Sequence, residues 1–182
     1  MARLLLTTFS FNCSFAGLSA VLEVTRLKAL LYRPVIGPRP LTRLKQYGWN
    51  RRILTMEDFE RFCERENIIV ITQWMRYDLG RYYIDEQAFV FQPVIVLHSE
   101  LGGPQLVLTA FHEAGHHCWH APGHFGAPGK AENEAEFAGL VALMPKRLLL
   151  RHRHRPWEIC EEYGYEWEWV ERRFRILRNL KF

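Results

Sequence analysis

The chain has 182 residues, 48% of them apolar, which is enough for one ordinary core and too few for a second large domain. Its 24 basic and 20 acidic residues leave a formal charge of +4, an excess too small to point to nucleic-acid binding. Cys13, Cys63, Cys118 and Cys160 form no CxxC pair, so neither a zinc ribbon nor a disulfide framework is indicated, and reduced thiols in a cytoplasmic protein are expected.

Residues 1–40 read as an N-terminal extension of uncertain order. Arg3 followed by the apolar stretch Leu4 to Leu22 imitates a signal peptide. Thr7, Thr8, Ser10, Asn12 and Ser14 interrupt that stretch, however, and make it too polar for a membrane span. The run from Pro34 to Pro40, with Gly37 and Pro38 inside it, breaks any regular element and sets the boundary of a folded body over 41–182. Thr55 and Asp58 predict a helix cap, with Met56, Phe59, Phe62 and Cys63 at helical spacing up to about Asn67.

Ile68 to Thr72, Arg81 to Asp85, Ala88 to Phe91 and Val94 to Leu97 are candidate strands, and their short connections favour an antiparallel meander. Gly102-Gly103-Pro104 marks a turn before a helix over Gln105 to His120. Further helices are predicted over Ala131 to Met144, stopped by Pro145, then Pro156 to Tyr163 and Glu166 to Leu180. The last should bury a stripe of Trp167, Val170, Phe174 and Leu177 and carry Glu168–Arg172 and Glu171–Arg175 pairs outside. The expected fold class is α+β, a small antiparallel β-sheet packed on a helical, zincin-like core.

That core carries HExxH, in the segment Phe111-His112-Glu113-Ala114-Gly115-His116. On a helix, residues four apart stack on one face about 6 Å apart along the axis, so both imidazoles can reach one tetrahedral ion. Glu113 then lies beside the ion, where its carboxylate can take a proton from a zinc-polarised water. His112 and His116 are thus candidate metal ligands, Glu113 is the candidate catalytic base, and Zn2+ is the expected cofactor.

A catalytic zinc needs a third protein ligand. The long metzincin pattern would place a histidine ten residues after His112, but that position is Pro122, with His120 and His124 on either side of it. Carboxylates are the better candidates, and Glu132, Glu134 and Glu136 all stand on the next helix. Glu132 and Glu136 share a face, so with Glu132 on the metal Glu136 would accept a hydrogen bond from a ligating histidine.

With HExxH followed by Glu132-Asn133-Glu134-Ala135 and Leu143-Met144-Pro145, the chain resembles the ImmA/IrrE family of metallo-endopeptidases over roughly residues 54–178. The resemblance implies His112, His116 and Glu132 as zinc ligands and Glu113 as base. It also implies hydrolysis of a peptide bond in a protein substrate, such as a helix-turn-helix repressor in a phage, mobile-element or stress response. Phe137 is out of the family's register, which leaves Glu134 open as the third ligand.

Other readings compete. A zinc-stabilised regulatory or antitoxin-like module would keep the metal without turnover. Membrane-bound AAA-type proteases share HEAGH but need a nucleotide-binding loop that this sequence lacks. Arg151-His152-Arg153-His154-Arg155 reads as a solvated loop rather than a nucleic-acid patch, so neither nucleic acid nor membrane is an expected partner. His117 is expected at the surface, and Tyr82 or Tyr83 is weighed as an oxyanion donor.

Overall fold

The computed structural model describes residues 41–85, 92–119 and 128–179. The extension over 1–40, the candidate strand Ala88 to Phe91, and His120 and His124 lie outside the described residues.

Helix α1 (Leu41–Lys45) leads through a tight turn at Gly48 to buried Trp49, whose indole N–H donates to the Ala138 carbonyl at 3.1 Å. Helix α2 (Met56–Glu66) starts at the expected cap. The Thr55 hydroxyl accepts from the Asp58 backbone N–H, and the Asp58 carboxylate accepts from the Thr55 N–H. It ends at Asn67, which adopts the left-handed conformation at φ 54°. Its buried face is Phe59, Phe62 and Cys63, as the spacing predicts.

Three strands follow: β1 (Ile69–Gln73), β2 (Gly80–Asp85) and β3 (Gln92–His98). The sheet is mixed rather than antiparallel, which corrects the meander. Its order is β1-β3-β2, with β3 parallel to β1 and antiparallel to β2. The centre goes to β3 because its uninterrupted apolar run, Val94 to Leu97, is buried, whereas every residue of β1 keeps exposed surface. Strand β2 returns the chain to the start of β1, so β3 can run alongside β1 in the same direction.

Helix α3 (Gly103–Trp119) packs on β2 and β3 of the sheet and against helix α4 (Pro128–Leu143). Phe59 and Phe62 of α2, Ile95 and Leu97 of β3, Phe111 of α3 and Val141 of α4 share one core. Fully burying side chains of this size contributes ~1.5–3 kcal/mol each. A second cluster joins Leu140, Leu143 and Met144 to α5 (Lys146–Arg151), α6 (Trp157–Tyr163) and α7 (Trp167–Asn179). Helix α5 escapes the sequence reading because Pro145, read as a stop, lies just past the end of α4 and is also the N-cap of the next helix. In α7, Val170 is buried as expected, while Trp167 is half exposed and Arg173 is buried instead. Glu171 pairs with Arg175 at 3.2 Å, but Arg172 reaches across to Glu136. No helix among the described residues is long and apolar enough to cross a membrane.

Candidate metal centre

Helix α3 presents His112 and His116 one turn apart, and their Nε2 atoms lie 3.1 Å from each other. Opposite them stands Glu132, in the first turns of α4. Its Oε2 is 3.4 Å from His112 Nε2 and its Oε1 is 3.5 Å from His116 Nε2. Among the described residues these three side chains form the group whose ligand atoms, all within 4.8 Å of one another, could hold a metal ion. Two imidazole nitrogens and a carboxylate oxygen brought this close make a donor set of the type that binds divalent metal ions. Burial lowers the pKa of His112 against the raising pull of Glu132, which favours the neutral imidazole that binds metal.

The close approach of α3 and α4 has a local cause. A Cβ on Gly115 would lie 2.9 Å from both Ala135 Cα and Ala138 Cβ, and one on Gly139 would lie 2.7 Å from the Leu108 carbonyl oxygen. Only glycine at these crossings lets the backbones come near enough for Glu132 to face the histidines. The HExxH reading explains neither glycine.

Glu113 is only 5% exposed. Burial, reinforced by the negative charges of Glu132 and Asp78, pushes its carboxyl up to about 8, although the Tyr82 backbone N–H hydrogen-bonds it. Strand β2 covers it directly: a Cβ on Gly80 would lie 2.6 Å from Glu113 Oε1 and 2.7 Å from Thr109 Cγ2. Gly80 is therefore a close-approach glycine that sequence reasoning missed. Its signal is a glycine opening a β-branched and aromatic strand.

Neighbouring residues make contacts that local spacing does not foresee. Glu136 takes Arg172 as its ion-pair partner rather than a ligating histidine, because α7 lies against that flank of α4. His117, expected at the surface, is buried; its Nδ1 meets the Tyr82 hydroxyl at 3.2 Å and its Nε2 lies 3.6 Å from Glu66, which Arg43 holds at 3.0 Å. Tyr82 thus points its hydroxyl at His117, and Tyr83, next along the strand, faces the other side of the sheet and is partly exposed. Part of the basic run faces acidic partners: His152 is buried between Glu158 at 3.2 Å and Glu162 at 3.6 Å, and Arg155 meets Glu158 at 3.3 Å. Cys63 and Cys118 are free and buried, and burial pushes both thiols up to about 12, so neither is a nucleophile at neutral pH.

No protein-family model and no curated protein sequence matches the chain.

Proposed function

We propose that the protein is a zinc-dependent metallo-endopeptidase. The observation that supports this most directly is the convergence of His112, His116 and Glu132 within 4.8 Å beside the buried carboxyl of Glu113. The HExxH spacing and the resemblance to the ImmA/IrrE family point the same way. In this reading the two imidazoles and Glu132 hold the ion, and Glu134 does not.

Zinc, when bound, supplies Lewis acidity that polarises a peptide carbonyl and acidifies water. Glu113 takes the proton of the attacking water on its carboxylate and passes it to the departing amine. Burial at that position helps the second half of the task, because a desolvated carboxylate retains a proton more readily than one in water. The Tyr82 N–H and the backbone at Gly80 hold the carboxyl in place and keep bulk water from one side of it.

The substrate in this proposal is a protein, in the first instance a helix-turn-helix repressor encoded beside this chain. Incubating the two purified proteins with zinc tests it. A single cut that disappears with chelator and with Glu113→Gln, while zinc remains bound to that variant, supports the peptidase. An intact repressor under zinc-replete conditions favours the regulatory module without turnover.

A further inference from the structure

A concave feature lies away from the metal centre, between α1, the turn that follows it and α2. It is a cleft of about 400 Å³, within the usual size range of small-ligand pockets. Its wall is cationic: Lys45, Arg51, Arg52 and Arg61 line it, against a single carboxylate, Asp58.

Two of these cations are fixed. Arg52 grips Asp58 with both terminal nitrogens at 2.6 Å, and Arg61 binds the same carboxylate at 2.5 Å. One buried anion thus anchors two guanidiniums, and Arg52 also donates from Nη1 to the Ile53 carbonyl at 3.2 Å, which leaves part of each group's five N–H donors for a ligand and makes Lys45 and Arg51 the source of the cleft's net positive charge. Gly48 makes room for this: at φ +89° it turns the chain back, and a Cβ there would lie 3.0 Å from Arg52 Nε. Lys45 and Arg51, from the end of α1 and the turn, complete the rim. Neither makes an ion pair among the described residues. Arg61 also meets Glu57 at 3.5 Å, on an exposed part of α2.

We propose that this cleft is a binding site for a phosphate-type oxyanion, either free or carried as the phosphoryl group of a small molecule. The N–H donors that Arg52 and Arg61 do not spend on Asp58 are held in place for an oxyanion, and the two uncommitted cations on the rim, Lys45 and Arg51, supply the charge that attracts it. The site is independent of the metal centre.

Zinc-loaded protein titrated calorimetrically with inorganic phosphate, and separately with adenosine monophosphate, at constant ionic strength in chloride, tests the assignment. Saturable binding is expected, with inorganic phosphate alone sufficing if the free anion is the ligand and the monophosphate tighter if a carried phosphoryl group is. Lys45→Met combined with Arg51→Met should weaken binding at least about tenfold, the scale of one lost charge-assisted hydrogen bond. Both residues are exposed, so the variant should melt like the parent without ligand. His116→Ala should bind the anion as the parent does, which separates this site from anion binding at the metal. Absence of saturable binding by both probes, or parent-like binding by the double variant, overturns the proposal. So does binding of a single-stranded oligonucleotide that phosphate fails to displace.

Discussion

Replacing Glu113 with glutamine should stabilise the metal-free protein, and by an amount that grows with pH. The carboxyl has an ordinary value of 4.5 and is raised to about 8 in the fold, first by burial and then by Glu132 and Asp78. A carboxyl whose pKa rises on folding binds protons more tightly in the native state, so stability falls as pH climbs from the unfolded value to the folded one. At pH 7 the gap from 4.5 is 2.5 units, which at 1.36 kcal/mol per unit is about 3 kcal/mol. Near pH 5 the same arithmetic leaves less than ~1 kcal/mol, and above about pH 8 the cost levels off. Glutamine is neutral throughout, and its amide oxygen can still accept from the Tyr82 N–H. Urea unfolding of parent and Glu113→Gln in chelator, at several pH values over that range, isolates this carboxyl because every other titrating group is common to both. A stability difference that widens by about 2 kcal/mol between about pH 5 and 7 is expected. Parallel pH profiles would refute the reasoning, since they would mean that Glu113 ionises in the folded protein as it does in water.

Glu132→Gln should lower zinc affinity by more than ~100-fold, since loss of an outer-sphere partner alone costs ~10–100-fold. Glu134→Gln should leave it nearly unchanged, and competition against a chelating dye distinguishes the two. Gly115→Val forces side-chain atoms into Ala135 and Ala138, so it should cost about 3 kcal/mol and weaken zinc binding together, read by thermal melting and metal content. Asp58→Asn should cost about 2 kcal/mol at neutral pH, an estimate reduced because the partner guanidiniums of Arg52 and Arg61 are half exposed. Arg52 holds the Asp58 carboxyl well below the usual carboxylate range, with Thr55 and Arg61 assisting against burial. Its contribution is therefore complete above the unfolded value of 3.8 and fades as pH falls below it, so the two melting curves should converge in acid.

The sequence by itself determined what local geometry determines. Thr55 and Asp58 lie three residues apart, so their capping box follows from the first turn of a helix, and the structure has it. His112 and His116 share a face for the same reason, whatever they pack against. Contacts between distant segments were decided only by the tertiary structure. Spacing left Glu132 and Glu134 as alternatives, and the register of α4 against α3, fixed by Gly115 and Gly139, brings Glu132 to the histidines. The central place of β3, the burial of His117 against Tyr82 and the diversion of Glu136 to Arg172 likewise depend on partners from other elements. So does the raised pKa of Glu113: a motif places a carboxyl beside two imidazoles, but only a strand laid over it at Gly80 removes it from water.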